Sequence, residues 1–216
     1  MKQLRKYLQN EYLFAECKFY GEICPCPMCH SKDKVNIGVV YVRWGKKTCP
    51  SNSQIVYTGQ AEGKSYTNKG VGSDYLCLHS DPENDKTYTY NSVGLYGAGY
   101  EINSYSKPSG LPSSLNEKEA PCSVCREKGK VSVLMIPGRQ SCHKGWKSEY
   151  SGFLMSQHIN FNQMDYICMD GEAEPLDDRS DSHKGALFYP IRARCGSLRC
   201  PPYKDNTEVL CAVCTK

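Results

Sequence analysis

The sequence predicts a mainly β, disulfide-rich fold in which two similar β-rich subdomains are arranged in tandem behind a short N-terminal helix. Three observations support this prediction. The 216-residue chain contains 14 Cys but only 39% apolar residues, short runs of β-branched and aromatic residues alternate with Gly, Asn, Ser and Pro, and a set of motifs occurs twice. So few apolar side chains form a small core, and this many cysteines are typical of secreted proteins that stabilise such a core with disulfides.

The repeated motifs divide the chain. Five motifs occur twice in the same order, at offsets between 89 and 93: positions 45–49 and 138–142, 57–59 and 150–152, 74–77 and 165–168, 94–96 and 186–188, and 122–125 and 211–214. A repeat of this length indicates duplication of a structural unit. We expect a leader at residues 1–34, a first half at residues 35–128 and a second half at residues 129–216. Because no Pro- or Ser-rich linker separates the halves, they are expected to pack side by side.

Each half is predicted to consist of short strands. Their β-branched, aromatic or alternating runs lie at residues 35–44, 55–57, 75–78, 87–90 and 131–136. The leader instead has helical periodicity from residue 2 to about residue 17, where Leu4, Leu8, Tyr12 and Ala15 recur every three or four residues. A helix this short needs partners, and a short coiled coil between chains would supply them.

The cysteines are predicted to form disulfides within each half. Four cysteines allow three pairings, and closure of a Cys-x-x-Cys segment on itself is poor geometry in an extended chain because the two side chains diverge. Two schemes therefore remain for each half, and we favour the nested one. It pairs Cys49 with Cys125, Cys77 with Cys122, Cys142 with Cys214 and Cys168 with Cys211. Cys195 and Cys200 have no counterparts in the first half and are expected to bridge each other.

The leader contains the other four cysteines, Cys17, Cys24, Cys26 and Cys29. These four cysteines could form two disulfides within the leader or disulfides between chains, and the sequence does not decide between these two schemes. The stretch from Cys26 to His30 also matches the Cys-x-x-Cys-His pattern of haem attachment. The two later Cys-x-x-Cys pairs match zinc-binding and thioredoxin-like redox patterns. Disulfides are favoured over all three. The haem match is short and arises easily in a Cys-rich chain, no βαβ pattern surrounds the later pairs, and each of those pairs has partner cysteines in its own half.

Several segments also carry a resemblance to a known family; they lie at residues 40–45, 49–50, 75–78, 121–125, 133–138, 193–198 and 200–203. The repeated order of Gly, Cys, Tyr-x-Gly, Cys and Cys-x-Val-Cys resembles the C-terminal non-collagenous domain of type IV collagen. In their sequence motifs, residues 36–216 more closely resemble the spongin-type, short-chain collagens of sponges and other invertebrates. This resemblance implies a tandem β-rich fold with nested disulfides in each half, and extracellular self-assembly into trimers and matrix networks. The chain has no Gly-X-Y repeat.

Two sets of residues are candidates for ligand binding. An acidic loop formed by Asp170, Glu172, Glu174, Asp177, Asp178 and Asp181 carries the oxygen ligands that Ca²⁺ prefers, but a solvated loop is the favoured interpretation, so no cofactor is expected. Two Trp residues that flank the first cysteine of each half, together with Asp-Tyr pairs at corresponding positions, could form duplicated sugar-binding sites. These residues are Trp44, Asp74, Tyr75, Trp146, Asp165 and Tyr166. For any single Tyr, packing in the core is the favoured alternative.

Together these features predict a secreted, extracellular-matrix-type structural or adhesive protein that forms homo-oligomers, with a trimer expected and matrix components or glycans as partners. A secreted, lectin-like protein with duplicated sites is the alternative. No enzyme is expected, because the five His share no position between the halves and no catalytic motif occurs. A net charge of +4 without a Lys/Arg block argues against nucleic acid, and no run reaches roughly 18 apolar residues, so no membrane span is expected. No apolar stretch follows the basic start, so we expect either that a signal sequence has been removed or that the numbering begins inside a longer precursor.

Overall fold

A computed structural model describes residues 37–67, 69, 72–83, 94–103, 107–179 and 185–216. These residues belong to one compact unit with ten strands and one short 3-10 helix, Ser113–Leu115. The strands are β1 Gly38–Trp44, β2 Gln54–Gly63, β3 Leu76–His79, β4 Tyr96–Tyr100, β5 Pro121–Lys128, β6 Val133–Pro137, β7 Lys147–Ser156, β8 Ile167–Asp170, β9 Ala186–Pro190 and β10 Leu210–Thr215.

The described residues are therefore mainly β, as predicted. The predicted helix at residues 2–17, the four leader cysteines and the predicted strand at residues 87–90 lie outside the described residues. Within the described part of the chain, we find no helix with the length and apolar character needed to cross a membrane.

The ten strands form one continuous sheet that closes on itself. The strand order is β6-β10-β7-β8-β1-β5-β2-β4-β9, and β9 also pairs with β7, so that seven strands from β7 to β9 make a closed ring. Strands β6 and β10 extend the sheet beyond β7, and β3 pairs with β2 outside the ring. Two parallel contacts join the halves, one between β1 and β8 and the other between β4 and β9. These contacts connect strands more than 80 residues apart in the chain.

The strand pairings within the first half recur within the second. In the first half β1 pairs with β5, β5 with β2, and β2 with both β3 and β4, all antiparallel. In the second half β6 pairs with β10, β10 with β7, and β7 with both β8 and β9, again all antiparallel. The registers match as well, because Gly59 lies opposite Cys122 and Gly152 lies opposite Cys211.

The register revises one of the five sequence alignments. Tyr96 lies opposite Gly63 in the first half, and Tyr189 lies opposite Ser156 in the second. Tyr96 therefore corresponds to Tyr189, an offset of 93, rather than to Phe188 at the predicted offset of 92. The sequence comparison placed this motif one residue too early because it had only a small residue, Leu and an aromatic residue to align.

The repeated glycines have matching roles in the two halves. Gly45 and Gly138 end β1 and β6 with φ values of +87° and +80°, a region that favours glycine. Gly59 and Gly152 allow a close approach of neighbouring strands. A Cβ atom on Gly59 would lie 1.6 Å from the carbonyl oxygen of Leu78, and one on Gly152 would lie 2.0 Å from that of Met169.

Five disulfides staple the described residues, and four of them are the nested pairs. They join Cys49 to Cys125, Cys77 to Cys122, Cys142 to Cys214, Cys168 to Cys211 and Cys195 to Cys200. Side chains three apart on a strand point to opposite faces. Accordingly, Cys122 lies in the main core, whereas Cys125 lies in a second apolar cluster.

The two halves share their core. The main cluster combines Trp44, Tyr75 and Tyr100 from the first half with Met169 and Phe188 from the second. The four aromatic rings are in contact, with centroid distances between 4.4 and 6.5 Å. Aromatic side chains thus supply much of the buried apolar area in a chain that is poor in aliphatic residues.

Polar contacts join the halves beside this core. The Arg43 guanidinium lies 2.7 Å from the Asp170 carboxylate, and both side chains are largely buried. The Tyr150 hydroxyl lies 2.9 Å from the carbonyl oxygen of Val42 and 3.1 Å from that of Cys168. Burial of such groups is tolerated because each has a partner.

Candidate functional site

The aromatic residues proposed for sugar binding are mostly in the core. Trp44 and Tyr75 are both buried, and the Tyr75 hydroxyl donates a hydrogen bond to the carbonyl oxygen of Leu187. Trp146 is partly buried against the cluster of Ile136, Ala212 and Cys214. A sugar ring therefore has no access to the faces of Trp44 and Tyr75. The sequence pattern could not show this, because strand residues facing inward and outward alternate in the same run.

The structure brings the other three proposed ligand residues together. Asp74, Asp165 and Tyr166 are exposed, and the Asp165 backbone N–H donates a hydrogen bond to the carbonyl oxygen of Ser73. A hydrogen bond with the Asp74 side chain and the charge of that carboxylate raise the pKa of Asp165 above its ordinary value. This pair of corresponding residues is the one place where the proposed duplicated positions meet.

The acidic loop is largely occupied by contacts within the protein. Besides the Arg43–Asp170 pair, Glu174 accepts a hydrogen bond from the backbone N–H of Lys47, and Asp177 pairs with Arg179. Of the other members, Glu172 and Asp178 are exposed, and Asp181 lies outside the described residues. In the described ranges no three His, Cys, Asp or Glu side chains come together in a metal-binding group. Three carboxylates of the loop, those of Asp170, Glu174 and Asp177, thus have partners within the protein.

The two later Cys-x-x-Cys pairs are oxidised, so they offer neither a zinc site nor a redox dithiol. Cys122, Cys125, Cys211 and Cys214 each form a disulfide with a cysteine outside their own pair. A cysteine that binds zinc has to be a free thiolate.

A junction between the halves shows how this fold covers a strand edge. The strand β1 pairs with β8 in parallel, with Trp44 opposite Met169, and the loop that follows β8 then caps the end of β1. The Glu174 backbone N–H donates to the carbonyl oxygen of Gly45, over 2.9 Å. The Glu174 carboxylate in turn accepts a hydrogen bond from the Lys47 N–H, over 2.8 Å. The contact between the halves thus combines the paired edges of β1 and β8 with Glu174, a charged residue of the loop after β8.

The corresponding edges elsewhere in the chain have no such partner. By strand order, β6 corresponds to β1 and β3 corresponds to β8. Among the described strands, β6 pairs only with β10, and β3 pairs only with β2. One edge of each is therefore open within the described part of the protein, and an open edge is a template for pairing with another chain.

Several side chains on these open strands are apolar but exposed. Leu76 and Leu78 on β3 are 46% and 40% exposed. Their counterparts on β8 by register, Ile167 and Met169, are 7% and 0% exposed. On β6 the same contrast holds, because Leu134 is exposed whereas its counterpart Tyr41 is buried. The sequence analysis did not single out these leucines; a residue-by-residue comparison of the halves would have shown apolar side chains conserved at both positions.

Polar groups share the β3 face. Glu62 lies opposite Leu76 and Gln60 lies opposite Leu78, whereas the counterparts of Gln60 and Glu62 at an offset of 93 are Phe153 and Met155. Partial burial, together with the charge of nearby Glu119, raises the pKa of Glu62 to about 7. The β3 face is thus amphipathic, and its acidic group changes charge near neutral pH.

A comparison of the whole chain with protein-family models finds no match.

Proposed function

We propose that this protein is a secreted structural protein of the extracellular-matrix type that associates with copies of itself through the open edges of β3 and β6. The observation that carries the proposal is the exposure of Leu76 and Leu78, at positions whose counterparts Ile167 and Met169 are buried in the core. Exposed apolar side chains beside an unpaired strand edge are typical of a surface that another chain covers. The five disulfides support a location outside the cell.

The proposal includes a tandem duplication of the first half in the second. The recurrence of the antiparallel pairings, the matching registers at Gly59 and Gly152 and the four nested disulfides support it. The Tyr57 hydroxyl donates to the Cys77 carbonyl oxygen, as the Tyr150 hydroxyl does to that of Cys168. The resemblance to non-collagenous domains of spongin-type and type IV collagens is part of the same proposal.

The contact between chains would repeat the contact within the chain. The strand β3 of one molecule would lie in parallel beside β6 of the next, as β8 lies beside β1. Because the two edges differ, the contact is heterologous, and repetition of it closes a ring or grows a filament. The family resemblance favours a closed ring of three chains.

Charged side chains at the ends of the open strands fit this arrangement. Glu174, which lies 4.0 Å from Lys46 at the internal junction, corresponds to Glu83 at an offset of 91, and Lys46 corresponds to Arg139 at an offset of 93. Both Glu83 and Arg139 are exposed. A Glu83–Arg139 pair between chains would thus reproduce the internal contact.

The internal ion pair between Arg43 and Asp170 has no counterpart between chains. The corresponding residues are Ile136 and His79, at offsets of 93 and 91. The contact between chains would therefore lack a largely buried ion pair, so we expect it to be the more readily reversible of the two.

Sedimentation velocity of the full chain at micromolar concentration tests the proposal. We expect a mass near three times that of the 24.3 kDa chain, reduced to that of a monomer by Leu78→Lys, which places a charge on the open β3 edge. The control is Ile159→Lys, an apolar and even more exposed position on the loop after β7, which should keep the wild-type mass.

A charge reversal supplies a second test. Glu83→Arg and Arg139→Glu should each weaken association, and the double variant should restore it, since the pair is then reformed with opposite polarity. A wild-type protein that stays monomeric, or a Leu78→Lys variant with unchanged mass, would contradict the proposal. Non-reducing electrophoresis of the same samples tests separately whether the leader cysteines link chains covalently.

A further inference from the structure

The loop between β9 and β10 carries a group of exposed basic residues. Arg194, Arg199 and Lys204 are exposed on it, and none of the three forms an ion pair with a carboxylate among the described residues. The acidic residue nearest to them in sequence, Asp205, accepts a hydrogen bond from the Cys195 backbone N–H, over 2.8 Å. Three cations without acidic partners thus lie within eleven residues of one another.

A disulfide and hydrogen bonds hold the backbone of this loop in one conformation, so the Cα positions of the three basic residues are fixed. The Cys195–Cys200 disulfide closes it, with the two Cα atoms 5.7 Å apart. The Asn206 backbone N–H donates to the carbonyl oxygen of Ala193, over 2.9 Å, and the Thr207 hydroxyl donates to that of Lys204. A preorganised loop loses less conformational entropy when it binds a ligand.

A cavity adjoins one of these cations, Lys204. Its volume is about 220 Å³, and its lining includes Tyr203, Lys204, Pro202 and Gly138. The Tyr203 hydroxyl packs against Gly138 so closely that a Cβ atom there would lie 2.5 Å from it. The combination of an aromatic ring and an ammonium group suits a sugar ring that carries an anionic substituent.

The fold does not require this loop to be exposed. In the first half, the segment between β4 and β5 folds inward and buries Ile102, Leu111 and Leu115 in the main core. In the second half, the segment between β9 and β10 contributes only Ala193 to the buried residues. The two segments connect corresponding strands. An exposed, basic connection closed by a disulfide is therefore particular to the second half.

We infer that this loop binds a sulfated polysaccharide, with Arg194, Arg199 and Lys204 contacting sulfate groups and Tyr203 contacting a sugar ring. Sulfates recur along such a polymer, so several cations on one rigid loop engage it together. Each contact also releases condensed counterions, which makes the affinity depend steeply on salt. A disulfide-rich protein outside the cell would meet this class of polyanion rather than nucleic acid.

Fluorescence anisotropy with a labelled heparin octasaccharide tests the inference. The triple variant Arg194→Ser, Arg199→Ser, Lys204→Ser should bind about tenfold or more weakly at roughly physiological salt, and its plot of log Kd against log salt should lose a slope of about 2. The matched control changes Lys69, Lys107 and Lys128 to Ser; these exposed lysines lie outside the loop, so the same charge is removed elsewhere and the affinity should change less than threefold.

Two further probes separate the ligand classes. Desulfated heparin should bind poorly, since its carboxylates alone give a lower charge density. A single-stranded DNA of equal charge should bind more weakly than heparin, and equal binding would overturn the assignment to a sulfated sugar. An unchanged affinity in the loop variant, an equal loss in the control, or no heparin binding by the wild type would overturn the inference. Sedimentation of the loop variant should match the wild type, because its open edges of β3 and β6 are intact.

Discussion

Removal of single disulfides should reveal how unequally they stabilise the fold. The Cys77–Cys122 bridge spans 45 residues of sequence, whereas the Cys195–Cys200 bridge spans 5. The chain-entropy relation gives about 4 kcal/mol for the first and about 2 kcal/mol for the second. Cys122 is also completely buried in the core, so its replacement loses packing contacts. We therefore expect the double variant Cys77→Ala, Cys122→Ala to lose at least twice as much stability as Cys195→Ala, Cys200→Ala.

Urea unfolding of the oxidised proteins, followed by tryptophan fluorescence, measures this difference. Both Trp residues lie in or beside apolar clusters, so their emission should report loss of the core. Paired Ala substitutions leave no unpaired thiol at either site, and mass spectrometry of unreduced peptides verifies the remaining bridges. This account of the disulfides would be refuted if the variant Cys195→Ala, Cys200→Ala unfolded at the same urea concentration as the variant Cys77→Ala, Cys122→Ala, or at a lower one.

Three other substitutions test the packing and the electrostatics. Gly59→Ala should lower the melting temperature far more than Gly72→Ala, because its Cβ would overlap the Leu78 carbonyl whereas Gly72 faces open space. Arg43→Met should destabilise by about 3 kcal/mol in denaturant unfolding, since it leaves the buried Asp170 carboxylate unpaired. Glu62→Gln should stabilise by about 1 kcal/mol at pH 8 and little at pH 4. The native pKa of about 7 exceeds the ordinary 4.5, so stability falls as pH rises through that interval, and solvent screening limits the gain.

The cysteines and glycines made the local organisation predictable. The order of Cys49, Cys77, Cys122 and Cys125 allowed only two schemes once bridging within Cys-x-x-Cys was set aside, and the nested scheme is the one present. Gly59 belonged to a repeated motif for a physical reason, which is the close approach of β3. Patterns that reflect local sterics can be read from one sequence.

The joining of the halves could not be predicted in this way. The parallel contact between β4 and β9 depends on strands far apart in the chain, and no local signal encodes it. The predicted strand at residues 55–57 is in fact the ten-residue β2, which continues through Gln60 and Glu62. Those polar residues hid the strand from a search for apolar runs. The inward direction of Trp44 and Tyr75 was equally invisible, since either face of a strand can carry an aromatic residue.

Sequence differences between the two halves explain why the edge of β8 is covered whereas the edge of β3 is open among the described residues. Phe153 and Met155 make the β8 face apolar, which favours its burial. Gln60 and Glu62 at the corresponding positions are polar, so the β3 face can be hydrated. Apolar side chains at 76 and 78 remain on that face nonetheless, and selection for solubility alone would remove them. A strand edge that keeps apolar side chains but has polar neighbours is suited to the reversible association that we propose, in contrast to the permanent junction inside the chain.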